Sequence, residues 1–353
     1  MVSAFWRFGG WADAPAFFYL YSSNMKIFWF LAQEQFQPEV LVEHARAAEA
    51  AGFDGVAVSE HFHPFVDDAG AGGFAWTILG AVANATERLA LMTAVVAPLW
   101  HYHPAIVAQA AATVERLSGG RFALGVGTGR NEGALGYPFP PYAERAARME
   151  ESLGVMERLL GGERVDFDGR FYKTAGAKLY SPPLHHVPVW LSAAGPKSAR
   201  LGGGRADGVI ASVKDPARDL AQIVGPAREA ASEAGRPAPT VVATHWTLRG
   251  GSDDEAWQAL QPLRGQRAPN RDTEIDPAQL RAAADDMPRQ DVLAQWHRVE
   301  TAQDYVNAYA PVVETLRPDV LVIQTTATDQ LATIAMVGRE VVPELRKLVK
   351  EGQ

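Results

Sequence analysis

The chain has 353 residues, of which 47% are hydrophobic and 21% charged, a composition that supports a large buried core and excludes a disordered polymer. Its 33 basic and 41 acidic residues give a formal net charge of -8, which repels a phosphate backbone and argues against nucleic acid as the main partner. There is no cysteine, so disulfides, thiolate nucleophiles, iron-sulfur clusters and thiolate zinc sites are excluded together, and any metal needs His and carboxylate ligands.

Residues 1–24 are rich in Phe, Trp and Tyr, but Arg7 is the only basic residue before Lys26, and Asp13 and Pro15 interrupt the apolar run. Neither a secretory signal nor a membrane span fits, so the segment reads as an N-terminal extension or a misassigned start, and the expected location is cytoplasmic. From Met25 onward, short apolar runs alternate with helix-period segments. The expected strands are Lys26 to Leu31, Asp54 to Val58, Leu89 to Val96, Phe122 to Gly127, Val189 to Ala193, Gly208 to Ser212, Thr240 to Trp246 and Val320 to Gln324. Between them lie amphipathic helices, with stripes at Leu41, Ala45 and Ala48 and at Met149, Leu153, Met156 and Leu160. A last stripe, Ile334, Val337, Val341, Leu345 and Leu348, meets Pro343, which should kink or restart that helix. Eight strands with intervening helices suggest an α/β fold, a (β/α)8 TIM barrel, in one domain from residue 25 to 353. Residues 250–299 break the rhythm with Asp253-Asp254, Pro-containing turns and many Arg and Ala residues, and read as an insertion before the last strand that could cover the barrel mouth.

In such a barrel the residues just past the strand ends form the site. They are Glu34 after the first strand, Glu60 and His61 after the second, Ala97 after the third, Thr128 to Glu132 after the fourth, and Ser212 with Lys214 after the sixth. Singly, each is more often a cap or a solvated group; their convergence gives the reading its weight. One alternative takes His61-x-His63, with His101-x-His103, as imidazole ligands of a metal hydrolase barrel, but helix entry accounts for the second pair, and only His245 and Asp329 offer further ligands late in the chain. The stretch Phe122-Ala-Leu-Gly-Val-Gly-Thr-Gly129 lets a backbone approach a planar or phosphorylated ligand, yet Arg130 and Glu132 break the G-x-G-x-x-G spacing of a dinucleotide site. Ala193-Ala-Gly-Pro-Lys197-Ser198 is a second strand-to-helix turn of this kind; its bland reading is an ordinary tight turn.

Taken together, Ala32-Gln-Glu-Gln-Phe36, Ser59-Glu-His-Phe-His-Pro64, His103 to Thr113, Gly125-Val-Gly-Thr-Gly129 with Asn131-Glu132, Gly161 to Tyr172 and Ala194-Gly195-Pro196 resemble the luciferase-like family of flavin and deazaflavin oxidoreductases. Within it they are similar to the glucose-6-phosphate dehydrogenase group that uses coenzyme F420, from about Met25 to the C-terminus. The resemblance implies a bacterial luciferase-like barrel with a non-proline cis peptide at Ala94-Val95. It makes His61 the catalytic histidine and puts Glu34 in the same pocket. It assigns contact with the deazaflavin to Glu60, Ala94, Val95, Ala97, Thr128, Gly129, Asn131, Ala194, Gly195, Lys197 and Ser198, and a sugar phosphate to Ser212, Lys214 and Arg271. Phe65 stands where the family has a tryptophan, Glu60 where it has Asp, and Gln295 where it has a third basic residue. The loop after Gly129 is two residues shorter than the family's and lacks its acid, for which Glu132 or Glu34 is the substitute. The implied enzyme is an F420-dependent dehydrogenase or reductase acting on a hydroxyl-bearing small molecule (a sugar, sugar phosphate or other alcohol) and assembled as a homodimer. The alternative within the family is an FMN-dependent monooxygenase.

Overall fold

A computed structural model describes residues 24–129, 132–137 and 139–350, apart from the side chains of Glu132 and Lys350. All but the last of residues 1–24, read from the sequence as an extension, therefore lies outside the described residues. Among them, the strands are β1 (Lys26–Leu31), β2 (Gly55–Val58), β3 (Ala90–Thr93), β4 (Phe122–Val126), β5 (Val165–Asp168), β6 (Lys173–Ala177), β7 (Val189–Ala193), β8 (Gly208–Ser212), β9 (Thr240–Arg249), β10 (His297–Val299) and β11 (Val320–Thr326). Strands β1, β2, β3, β4, β7, β8, β9 and β11 pair in parallel in that order, and β11 returns to β1, so eight strands close into a barrel with helices in the connections.

These strands form where the sequence is apolar on both faces, as parallel strands under helices require. Alternate residues of β1 show why: Phe28 and Phe30 join Met92, Trp190 and Ile210 inside the barrel, while Ile27, Trp29 and Leu31 pack outward under the helices. The interior is filled by bulky side chains set against small ones. Phe28 is paired with Gly55 across β1 and β2, and a Cβ on Gly55 would come within 2.6 Å of both the Phe28 ring and the Ala90 carbonyl oxygen.

The structure departs from the sequence reading in a few places. The strand expected to run to Val96 stops at Thr93, because the Ala94 N–H donates to Val58 whereas the Val96 N–H donates to Gly125, so the ladder breaks between them. The hairpin β5–β6 gave no strand signal because only Val165 of its residues is fully buried and no apolar run marks it. Near the end, the helix Gln330–Met336 widens into a π turn, Val337–Val341, before the helix Val342–Lys350, a restart next to Pro343 of the kind its missing N–H demands.

Residues 250–299 form the helices Asp253–Leu260, Pro277–Asp285 and Arg289–Leu293, a 3-10 segment Gln261–Arg267 and β10. They lie against the loop that follows β2. Arg264, 3% exposed, donates to Asp68 at 2.6 Å and Asp285 at 2.8 Å, and Arg281 donates to Asp67 at 2.6 Å. Phe65 from that loop is buried among Leu260, Leu263 and Trp296. No helix among the described residues is long and apolar enough to cross a membrane.

Replacing Gly55 with Ala should cost about 1–3 kcal/mol, the usual penalty of overpacking a filled interior, because the obstruction includes backbone as well as a ring. Urea unfolding measures it, and an unchanged midpoint would contradict this packing.

Candidate active site

Parallel strands bring all their C-terminal ends to one rim. The register Leu31↔Val58 sets the residues after β1 beside those after β2, and this joins Glu34 to His61. Glu34 is 3% exposed; one carboxylate oxygen lies 2.5 Å from His61 Nδ1, and the other accepts the Ser59 hydroxyl at 2.7 Å. Ser59 Oγ in turn accepts the Gln33 N–H at 3.2 Å. Burial pushes the Glu34 pKa up, but the adjacent imidazole and the His61 and Ser59 hydrogen bonds outweigh it and hold the carboxyl below its ordinary value. Nδ1 therefore carries the proton that faces the carboxylate, which leaves Nε2 for the cavity that His61 lines.

That cavity has a volume of about 750 Å³. Its floor is the bend after β3, where the Ala94–Val95 peptide is cis, at the place the resemblance gives for it. Strand β4 lies so close to the bend that a Cβ on Gly125 would come within 2.0 Å of the Thr93 carbonyl oxygen, and one on Gly127 within 2.6 Å of Val95 Cγ2. Gly125 therefore makes room for the neighbouring strand, whereas Gly127 makes room for Val95 and lines the cavity with it.

On one wall, Glu60 accepts the Tyr102 hydroxyl at 2.7 Å, and burial followed by that carboxylate raises the Tyr102 pKa, so the phenol stays protonated. On another, Arg145 donates to Thr128 Oγ1 at 2.9 Å and lies 4.2 Å from the centre of the Phe139 ring. At the turn after β7, Ser198 Oγ accepts the N–H groups of Ala194 at 3.1 Å and Gly195 at 3.3 Å, so the turn is held by its own helix.

Of the residues expected from the sequence, Glu60, His61, Val95, Ala97, Thr128, Gly129, Ala194 and Ser198 line the cavity. Glu34 stands behind His61. Phe65 meets the His61 ring edge-on with centroids 5.3 Å apart, and Arg271 lies 5.0 Å from the Phe65 ring centre. Ala94 belongs to the cis peptide, whereas Gly195, Lys197, Ser212 and Lys214 are not among the lining residues. Asn131 and the Glu132 side chain lie outside the described residues.

His61 and His101 line the same cavity, but His63 and His103 are engaged elsewhere. His63 Nδ1 donates to the Ile275 carbonyl at 3.3 Å, and His103 Nδ1 accepts the Ala105 N–H at 3.2 Å as the cap of the helix Pro104–Leu117. Among the described residues no three His, Asp or Glu side chains come together as metal ligands.

Sequence reading missed Phe74, His101, Tyr102, Phe139, Tyr142, Arg145 and Asp272 in the lining. Arg145 sits in the first turn of the helix Tyr142–Leu160, whose apolar stripe was the visible signal. Its helix-entry position past β4 was the available clue.

A family model described as luciferase-like monooxygenase matches residues 24–328. The F420-dependent glucose-6-phosphate dehydrogenase of Nakamurella multipartita is 35% identical over 327 residues, covering 90% of this chain and 96% of the relative. The enzyme of the same description from Segniliparus rotundus is 35% identical over 336 residues, 93% of this chain and 100% of the relative. Among solved structures, an F420-dependent secondary alcohol dehydrogenase in complex with an F420-acetone adduct superposes with a TM-score of 0.83 at 27% identity, covering 92% of this chain and 99% of that one.

The Ser59–Glu34–His61 array makes acid stability testable. Because the folded pKa of Glu34 lies below its unfolded value, its contribution is whole above the unfolded value near 4.5 and is lost as pH falls through the folded value. Ser59→Ala removes one donor, costs about 1.5–3 kcal/mol as a hydrogen bond to a charged group does, and raises the folded pKa toward the unfolded one, so that the acid-side loss is smaller and complete at a higher pH. Urea midpoints between about pH 7 and pH 3 check this; an acid limb that overlays the parent's would contradict it.

Proposed function

The chain belongs to the luciferase-like monooxygenase family, and on that premise we propose that it is a coenzyme F420-dependent oxidoreductase that moves hydride between a hydroxyl-bearing substrate and the deazaflavin. The observation that carries the reading is His61, oriented by a buried, ionised Glu34 on the wall of a cavity of about 750 Å³. The 35% identical relatives of F420-dependent description support the cofactor.

The residues present fit such a group. The cavity lies within the range of about 300–1,000 Å³ usual for cofactor sites, and its lining combines aromatic and small apolar residues with polar ones, among them His101, whose buried Nδ1 has no hydrogen-bond partner. Burial lowers the His101 pKa, so this ring of the lining is held neutral. Glu60, Val95, Ala97, Thr128, Gly129, Ala194 and Ser198 would hold the group. When bound, coenzyme F420 supplies two-electron hydride chemistry.

The chain's own part is positioning and proton handling. His61 Nε2 accepts the hydroxyl proton of the substrate as the carbon beside it gives up hydride, and in the reverse direction it returns that proton. Glu34 keeps Nδ1 protonated, fixes the ring plane and stabilises the imidazolium that forms, as a buried carboxylate does behind a catalytic histidine. Phe65 closes one side of the imidazole against water.

We further read the protein as a cytoplasmic homodimer. Ile106 and Leu117 on the helix Pro104–Leu117, with Tyr180 and Leu184 nearby in the chain that Arg116 ties to that helix, are exposed apolar groups a second copy would cover.

The reading is tested by titrating the purified protein with coenzyme F420 and with FMN, then assaying alcohols and sugars with the bound cofactor. F420 should bind and turn over with at least one alcohol; tight FMN binding with no response to F420 would overturn it. His61→Ala should bind F420 nearly as the parent does while turnover falls about 10²–10⁴-fold, the usual worth of a positioned general base. Parent-like turnover in this variant would remove His61 from the chemistry.

A further inference from the structure

The stretch Gly161 to Tyr172 carries part of the resemblance, yet none of its residues is in the cavity lining. It holds β5 and the turn into β6, and that turn is anchored from outside the hairpin. Glu151, on the helix Tyr142–Leu160, accepts the N–H groups of Arg170 at 2.9 Å, Phe171 at 2.9 Å and Tyr172 at 3.2 Å. One carboxylate therefore fixes where Tyr172 starts. Its side chain, 6% exposed, shares its hydroxyl proton between the carbonyls of Leu99 at 2.8 Å and Pro98 at 3.1 Å. Burial pushes the Tyr172 pKa up to about 12, so the proton stays on the phenol.

Residues 94–103 link β3 to the helix Pro104–Leu117 outside any named helix or strand, so their buried carbonyls need other partners. The first part of this loop is tied to β4: the Val96 N–H donates to the Gly125 carbonyl at 3.1 Å, and the Val96 carbonyl accepts the Gly127 N–H at 2.8 Å. Beyond Val96 the ties come from the hairpin and from the helix Tyr142–Leu160. Besides Tyr172, the Ser152 hydroxyl donates to the Pro98 carbonyl at 3.2 Å, and the Arg148 guanidinium lies 3.9 Å from the centre of the Trp100 ring and 4.3 Å from that of Phe171. At the far end His103, whose Nδ1 accepts the Ala105 N–H, donates from Nε2 to the Lys173 carbonyl at 3.2 Å. The same loop supplies Val95, Ala97, His101 and Tyr102 to the cavity lining.

We infer that Tyr172 is a positioning residue for the cofactor: by holding the Pro98 and Leu99 carbonyls it sets the wall that Val95, Ala97, His101 and Tyr102 present to the deazaflavin, and the hairpin β5–β6 is the support that this loop lacks in its own backbone. The inference rests on the F420-dependent reading above and adds to it the residue that orders one wall of the site before the cofactor arrives. Tyr172 is not in the lining, so it acts through the loop, with no proton or electron passed through it.

The test measures F420 binding by fluorescence titration, and amide hydrogen exchange of the protein without cofactor, in the parent, Tyr172→Phe, Ser152→Ala and Thr174→Val, all well below the unfolding temperature. Tyr172→Phe keeps the ring and loses the bond to the loop. Its Kd for F420 should rise about 10-fold, because binding must then order the loop as well. Residues 94–103 should exchange faster in it, while residues 55–66, which carry His61, exchange as in the parent. Ser152→Ala removes the other donor to the Pro98 carbonyl, should move both readouts in the same direction, and decides the matter if Tyr172→Phe does not fold. Thr174→Val loses a bond internal to the hairpin, to the Val165 carbonyl at 2.7 Å, and should bind F420 as the parent does. Parent-like binding in folded Tyr172→Phe, or in Ser152→Ala where it stands in, unchanged exchange over residues 94–103, or an equal weakening in Thr174→Val would overturn the assignment while leaving the F420-dependent reading in place. A parent that fails to bind F420 in direct titration would remove that reading and the inference with it.

Discussion

The site depends on one buried charge. Glu34 is 3% exposed, and an ionised carboxylate taken out of water is tolerated only where hydrogen bonds and an opposite partner compensate it. Ser59 and His61 provide that compensation, and both come from the end of the neighbouring strand. The need to satisfy Glu34 therefore ties the ends of β1 and β2 to each other and fixes the imidazole plane. What stabilises the carboxylate is also what leaves one nitrogen of His61 available for chemistry.

Around this pair the barrel supplies three further constraints. The close approach of β4 to β3 at Gly125, and of Gly127 to Val95 just beyond them, sets the floor of the cavity. The helix Tyr142–Leu160 brings Arg145 against Thr128, so the loop after β4 is held from outside the barrel. The segment 250–299 grips the loop after β2 through Arg264 and Arg281, whose carboxylate partners Asp68 and Asp67 lie a few residues beyond His61. Loop, insertion and strand ends therefore position one another, and the catalytic side of the barrel is built from contacts between segments far apart in the chain.

The barrel itself was legible in the sequence, because strands covered on both faces must be continuously apolar; Lys26–Leu31 and Val320–Thr326 are buried at every residue. His61 and Glu34 were legible as polar residues at the ends of such strands. Their pairing was not, since it depends on the register between β1 and β2. His103 could be read as a helix cap because Pro104 follows it. The β5–β6 hairpin was hidden because its residues are mostly solvent-facing, and Arg145 because a charged residue on an amphipathic helix normally signals only the wet face. Asp272 was the least accessible to sequence reasoning: nothing local distinguishes it from the other acids of residues 250–299, and its place in the lining goes with the packing of the nearby Ile275 against His63 and Gly133.

The central claim is that Glu34 sets the state of His61, and the most direct measurement is ¹⁵N NMR of the histidine rings in the protein, assigned with the His61→Ala variant. The account predicts that the neutral His61 ring carries its proton on Nδ1, with Nε2 the basic nitrogen, and that Glu34→Gln disturbs this signal more than any other histidine's. A neutral ring with its proton on Nε2, or a His61 signal indifferent to Glu34→Gln, would contradict it.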